Sequence, residues 1–375
     1  MKIRNIQAFP LAYPEPHYKG IERYITLARV ETDDGVVGWG ECISQFREAA
    51  LATKIIIEQG LAPLLVGENA IDVDRLWHIM QSRIWWYGPE GIAAFGVSAL
   101  DMALWDVKGK ALGLPVCRLL GGQLHDKVVA MASFIFDMED FDWTLNEFRF
   151  LRDEGYQVVK AGWGMRPGAL FGQNRQRDIE IVRRVREVIG DDLELIVDTP
   201  GHHGLWDVPT AIQRFRDLEP YRLRWIEQPL PPHDLEGHAR LRSAVATPIG
   251  TGEDEWNVES YRRLIQSGGI DVVQIDPGRC HGITGSLHVI KLIEAESLEF
   301  SFHTWSSALN TAASLHLLAG STHGVAMDFK PHESPMQHEL VSDPWVQENG
   351  YLAVRETPGL GVQVREDTVQ KYLFG

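Results

Sequence analysis

The chain has 375 residues, with 36 Lys and Arg against 52 Asp and Glu, a formal charge of −16, and 44% hydrophobic residues. These are the proportions of an ordinary soluble globular protein, and the acidic balance argues against nucleic acid or an anionic membrane as partner. The length exceeds one comfortable core, so two domains or a large barrel with an appendage are expected. Three scattered cysteines, Cys42, Cys117 and Cys280, are too few for a disulfide framework or a zinc cluster and favour a reducing compartment. No apolar run approaches the roughly 18 residues of a membrane span. The opening Met1-Lys2-Ile3-Arg4-Asn5 lacks the apolar region of a signal peptide. A cytoplasmic protein is expected.

Residues 1–125 read as a mixed α+β unit. Residues 2–10 and 24–31 alternate like strands, and Asp33-Asp34-Gly35 is a hairpin signal leading into Val36-Val37-Gly38-Trp39-Gly40. Residues 48–65, 72–84 and 91–112 read as helices; the last carries Ala94, Val97, Leu100, Leu104 and Val107 at helical spacing and stops at Gly113 and Pro115. Over residues 126–334 short apolar runs alternate with amphipathic stretches. The runs are 128–134, 157–160, 194–198, 223–227, 247–250, 271–276, 299–303 and 324–329. Eight such units fit a parallel β/α barrel of the α/β class. Residues 335–375 break the rhythm; 351–355 and 361–364 look like strands returning to the first unit.

In such a barrel the active site forms where strands end, so polar residues closing apolar runs carry the signal. Three successive runs end in Asp198, Glu227 and Glu253, spaced 29 and 26 residues apart, one β/α unit each. Carboxylates held that close repel unless protonated or bound to a cation, and hard oxygen ligands suit Mg²⁺. The next two runs end in Asp276 and His303. A carboxylate beside an imidazole fixes its tautomer and raises its basicity, the construction of a general base. The eighth ends in Asp328, a further carboxyl for a substrate hydroxyl or enolate oxygen. Lys160 on the second run either holds a substrate carboxylate, donates to an enolate, or forms a salt bridge to Asp198.

The order Asp198, Glu227 in Trp225-Ile226-Glu227-Gln228-Pro229, Glu253 in Gly252-Glu253-Asp254, Asp276 in Ile275-Asp276-Pro277, then His303 closely resembles the enolase superfamily, specifically its mandelate racemase subgroup. The stretch from Ala99-Leu100-Asp101 through Trp105-Asp106-Val107-Lys108-Gly109-Lys110, followed by Pro115 and Leu119-Leu120-Gly121-Gly122, looks like that family's N-terminal domain. The resemblance implies an α+β capping domain (1–125) over a modified TIM barrel, (β/α)₇β (126–334), with residues 335–375 returning to the cap. It also implies Mg²⁺ on Asp198, Glu227 and Glu253, and abstraction of the proton α to a carboxylate by His303, oriented by Asp276.

The departures matter as much. The racemase carries Lys-x-Lys on its second strand, and Lys160-Ala161-Gly162 keeps only the first lysine. A one-base reaction is therefore expected, namely dehydration of an aldonate or aldarate to a 2-keto-3-deoxy acid, with racemisation, epimerisation or cycloisomerisation as the alternative. A non-catalytic descendant is disfavoured, since all five positions are present. Related dehydratases place an acid histidine two residues past the first ligand; here Pro200 stands there, and His202 or His203 must bend inward to serve. Asp328 stands where the family places a glutamic acid, one methylene longer. Tyr18, Lys19, Trp86 and Trp305 are the candidate substrate contacts, the first three on lid loops suited to excluding water. A small carboxylate substrate and a homo-oligomer complete the expectation.

Overall fold

The structure, a computed structural model, describes residues 1–166 and 168–375. Three antiparallel strands open the chain in the order β1 (Ile3–Glu15), β2 (Ile21–Thr32), β3 (Val37–Cys42). A 3-10 turn, Pro16–Tyr18, joins the first two. Helices α1 (Arg47–Ile55), α2 (Ala62–Leu65), α3 (Val73–Ile84), α4 (Ile92–Leu112) and α5 (Val116–Leu119) follow, with a π-helical turn, Ile56–Leu61, between α1 and α2. Helix α4 is apolar on all sides because it is covered on all sides, with Ala93 through Val107 buried. It ends at Gly113, whose left-handed φ of 68° suits the glycine. Strand β3 lies directly on α4. A Cβ on Gly38 or Gly40 would stand 2.3 Å from the Ala103 oxygen or 2.2 Å from the Ala99 oxygen, so only glycine permits the contact.

The barrel then runs β4 (Lys127–Ile135), α6 (Phe141–Asp153), β5 (Val158–Gly162), α7 (Arg175–Ile189), β6 (Glu194–Asp198), α8 (Val208–Leu218), β7 (Ile226–Glu227), α9 (Leu235–Arg242), β8 (Ile249–Thr251), α10 (Val258–Gln266), β9 (Val272–Ile275), α11 (Gly282–Ala295), β10 (Glu299–Phe302), α12 (Ala308–Ala319) and β11 (Gly324–Phe329). Neighbouring strands are parallel, and β11 pairs back onto β4 through Met327–Ala130 and Asp328–Met131, closing the ring. A π-helical turn, Pro335–Glu339, follows the eighth barrel strand where an eighth helix would stand. Side chains of Asn174, Asp207, Asp234, Asn257 and Ser307 accept backbone N–H bonds at the starts of α7, α8, α9, α10 and α12. Met131, Val158, Ile196, Trp225, Val272 and Ala326 fill the barrel interior, so chemistry is confined to the strand ends.

Two strand expectations change. The run 223–227 forms a ladder only at Ile226–Glu227, because Arg222 (φ 50°) turns the chain out of a 3-10 turn first. The C-terminal strand forms at Tyr351–Ala353 (β12) but pairs antiparallel with β4 of the barrel, not with the first sheet. Residues 361–364 make a single bridge, Val364 to Val341. The chain meets the first sheet later, where Leu373 bridges Leu11 beside α13 (Glu366–Tyr372). Among the described residues no helix is long and apolar enough to cross a membrane.

Candidate active site

The two units are joined through α4. Asp101 accepts from the Thr284 backbone (2.9 Å) and hydroxyl (2.6 Å), and Trp105 Nε1 donates to Thr284 Oγ1 at 2.9 Å. Asp106 accepts from Trp39 N (3.0 Å), Leu360 N (2.9 Å) and Lys110 Nζ (2.6 Å). The N-terminal unit is thereby pinned against the barrel, with its β1–β2 turn beside the strand ends.

At those ends Asp198, Glu227, Glu253, Asp276, His303 and Asp328 occupy consecutive positions around the ring. Lys160 reaches in from β5. Its ammonium donates to Glu227 Oε1 at 2.7 Å and Asp328 Oδ2 at 3.0 Å, and lies 3.8 Å from Asp198 Oδ2. The lysine thus serves three carboxylates, with Asp198 the most distant. Trp225 Nε1 occupies the other Glu227 oxygen at 3.1 Å. His303 Nδ1 stands 2.7 Å from Asp276 Oδ2, and its Nε2 lies 3.9 Å from Glu253 Oε1. The second Asp276 oxygen accepts from Gly278 N (2.8 Å) and Asn310 Nδ2 (2.9 Å). Asp276 is therefore held from one side so that the other faces the imidazole.

Burial drives the Asp198 carboxyl well above its ordinary range, and Glu227 adds repulsion. Burial also pushes Glu253 up to about 7 and raises Asp328. Burial opposes the charge on His303, but Glu253 and Asp276 outweigh it and raise the imidazole to about 9. Lys160 likewise stays charged because Asp328, Glu227 and Asp198 overcome its desolvation. Five carboxyl groups face two basic side chains, an arrangement short of positive charge.

The donor set fits a hard divalent cation. Asp198 Oδ1, Glu253 Oε2 and Asp328 Oδ1 are buried with no hydrogen-bond partner, and a buried acceptor left unpaired is costly unless a cation or substrate meets it. Both Glu227 oxygens already have partners. Among the described residues, the grouping of three donor atoms all within 4.8 Å is at His17, Glu147 and His332; at the mouth the Lys160 ammonium stands among the acids.

Gly162 lies at the position of the missing second lysine. A Cβ there would stand 1.8 Å from the Asp198 carbonyl oxygen. The backbone of β6 occupies the space a second base would need. His202 and His203 lie exposed on a 3-10 turn, Gly201–His203, with His202 packed on Trp163 at 4.7 Å. Neither makes a hydrogen bond or ion pair with the mouth residues. Tyr18 is buried against Trp305, ring centres 5.4 Å apart, and Trp305 Nε1 donates to Ser133 O at 3.3 Å. Lys19 pairs with Asp137 at 3.6 Å. Trp86 is 79% exposed and touches Trp85 rather than the barrel seam, which Trp77 and Trp105 fill instead.

Sequence reasoning missed Asn310, Glu41 and the Lys330–Glu15 pair. Glu41 is fully buried, accepts from the Ser307 and Asn310 backbones at 3.3 and 3.4 Å, and is raised to about 7 by burial. Lys330, buried, pairs with Glu15 across the two units and lies 5.0 Å from the Trp305 ring. Its place two residues past Asp328 was readable by the strand-end rule; nothing local marked Asn310 or Glu41.

Fold and site define a class: capped barrels whose strand ends gather acidic side chains and a carboxylate-oriented histidine. Residues 19–121 match the mandelate racemase / muconate lactonizing enzyme N-terminal domain, and residues 144–368 match the enolase C-terminal domain-like family. The chain belongs to this mandelate racemase / muconate lactonizing enzyme family of the enolase superfamily. It is 30% identical to a D-galactonate dehydratase from Klebsiella pneumoniae, over 91% of this chain and 89% of that protein. The 3,6-anhydro-D-galactonate cycloisomerase from Zobellia galactanivorans superposes with a TM-score of 0.90 at 28% identity, covering 100% of both chains. A racemase from Streptomyces coelicolor, solved with bound magnesium, superposes with a TM-score of 0.89 at 24% identity, over 99% of this chain and 100% of that one.

Proposed function

We propose that this chain is a Mg²⁺-dependent hydro-lyase that removes the proton α to the carboxylate of an acid sugar and expels the neighbouring hydroxyl, giving a 2-keto-3-deoxy acid. The observation that carries this reading is the single imidazole, 2.7 Å from Asp276, facing a strand on which β6 backbone leaves no room for a second base.

Asp198 and Glu253, each with a free oxygen, and Glu227, whose Oε1 is released as Lys160 turns to the substrate carboxylate, would hold the ion, which when bound supplies positive charge that lowers the acidity barrier of the α-proton. With the charge of Glu253 offset by the ion, His303 would be neutral, Nδ1–H donating to Asp276 and the Nε2 lone pair free to take the C2 proton. The electron pair of that C–H bond moves into the enolic system and then forms the C2–C3 double bond as the C3–O bond breaks. The hydroxyl leaves as water on accepting a proton, which His303 can return if the leaving group lies on its face. The enol then ketonises. Lys160, buried and held charged, binds an oxygen of the substrate carboxylate. Tyr18 and Trp305 close the mouth against water.

Three buried free cysteines support a reducing cytoplasmic setting, and the exposed cluster Trp85, Trp86 and Tyr87 supports a homo-oligomer. Cycloisomerisation is the second reading, favoured by the full-length match to a cycloisomerase; it shares the proton abstraction and differs in what attacks or leaves next.

The test is turnover of a panel of acid sugars with Mg²⁺, 2-keto-3-deoxy products being trapped with semicarbazide, beside His303→Asn. Product that requires both Mg²⁺ and His303 is expected. An isomer without water loss would select the second reading, and no α-proton exchange in D₂O with any panel member would count against both.

A further inference from the structure

A second cluster of ligand-type side chains stands beside the ring of strand-end acids and shares no residue with it, and the proposed reaction makes no use of it. His17 stands on the Pro16–Tyr18 turn between β1 and β2, Glu147 on α6, and His332 just past β11. Glu147 Oε2 lies 2.6 Å from His332 Nε2 and 3.3 Å from His17 Nε2, and one donor atom from each residue falls within 4.8 Å of the others. All three atoms are buried, yet none has a hydrogen-bond partner. The distances would allow hydrogen bonds; the directions do not.

We propose that His17, Glu147 and His332 form a second metal site, for a borderline divalent ion such as Zn²⁺, that fastens the β1–β2 turn of the cap to the barrel. Two imidazole nitrogens and one carboxylate oxygen, with a coordination position left over, is a ligand set Zn²⁺ takes readily and Mg²⁺ does not. Tetrahedral bonds of about 2.0–2.1 Å put donor atoms about 3.3 Å apart. The His17–Glu147 separation already matches, and the His332–Glu147 contact must open by about 0.7 Å.

The two imidazole rings are stacked, centres 3.5 Å apart and planes at 13°. Two nearly parallel planes cannot both contain one ion, so binding turns one ring out of the stack. Both side chains are part-buried, with 20% exposure each, and His332 is also stacked on Phe150, so a turn of His17 disturbs fewer stacked rings. Neighbouring Tyr18 packs on Trp305, so an ion on His17 fixes the turn that carries the candidate lid aromatic.

The experiment strips the full-length protein with a chelator, restores millimolar Mg²⁺, and titrates Zn²⁺ by calorimetry and Co²⁺ by visible absorption. One tight Zn²⁺ per chain is expected, with the intense Co²⁺ bands of a four-coordinate, histidine-ligated ion. His17→Ala and Glu147→Gln should each weaken Zn²⁺ binding at least 100-fold, while Asp198→Asn leaves it unchanged. Ring resonances of ¹⁵N-labelled wild-type histidines should shift for two residues as the stack opens, a readout that does not depend on any variant folding. No Zn²⁺ uptake in the presence of Mg²⁺ would overturn the proposal. So would uptake that persists in the His17 and Glu147 variants or disappears with His202→Gln, which would mean the ion sits elsewhere.

Discussion

Buried carboxylates at the α4 seam and at the barrel mouth are treated oppositely. At the seam every oxygen of Asp101 and Asp106 accepts a hydrogen bond from a backbone N–H, a hydroxyl or an ammonium. At the mouth one oxygen each of Asp198, Glu253 and Asp328 accepts none. The acids of the seam hold two units of the protein together; those of the mouth repel one another and keep oxygens free, as the proposed cation and substrate require. Burial alone does not separate the two roles. Completeness of hydrogen bonding does.

Four substitutions probe that contrast. Asp276→Asn should have the largest effect, lowering kcat by about 10²–10⁴ with little change in KM. Whichever way the amide turns, it sets an NH₂ against either His303 Nδ1–H or the Gly278 and Asn310 donors, so the pH profile of kcat should move as well. Asp106→Ala should cost about 3 kcal/mol of stability, since it leaves Lys110 and two backbone donors without their acceptor; chemical denaturation reads this directly. Asp198→Asn should do the reverse in Mg²⁺-free protein, raising the melting temperature slightly by relieving repulsion from Glu227 while abolishing Mg²⁺-dependent turnover. A fall in stability there as large as that of Asp106→Ala would erase the distinction between the regions.

The smallest effect concerns Asp101, whose carboxyl burial raises from 3.8 to about 7. The folded state binds that proton more tightly than the unfolded state. Its contribution to stability is complete below about pH 4 and is lost as pH rises through 7. Asp101→Asn should flatten this component, so the melting temperature of the variant relative to wild type should climb by a few degrees between pH 4 and pH 7.5. A constant difference across that range would show that Asp101 does not titrate in the folded state.

Much of this was legible from the sequence because barrel chemistry is written at strand ends. Continuous apolar runs at β/α spacing gave the eight parallel strands, and the residues closing them gave Asp198, Glu227, Glu253, Asp276, His303 and Asp328 as a ring. What escaped was interaction between elements distant in sequence. The Asn310 bond that orients Asp276 comes from α12, and the Glu41 carboxyl that meets that helix's N-terminus comes from the first sheet; neither has a local pattern. Trp86 read as a lid residue but packs on Trp85 at the surface, while Trp77 and Trp105 take the seam, their indole N–H groups finding acceptors on α11 and the residue before it. Strand β12 went to β4 because β4 extends below the ring at Lys127–Val129 and offers an open edge there.

Gly162 carries a consequence for the history and redesign of this barrel. Restoring lysine at that position is not a one-step change, because the atom a side chain would displace is the main-chain oxygen of Asp198 itself. Moving it would displace a residue on which the proposed cation depends. On the proposed one-base reading, a barrel with this β5–β6 crossing delivers and removes protons from one side. On that reading its route to new activities runs through the leaving group and the cap, with a second base at position 162 closed to a single substitution.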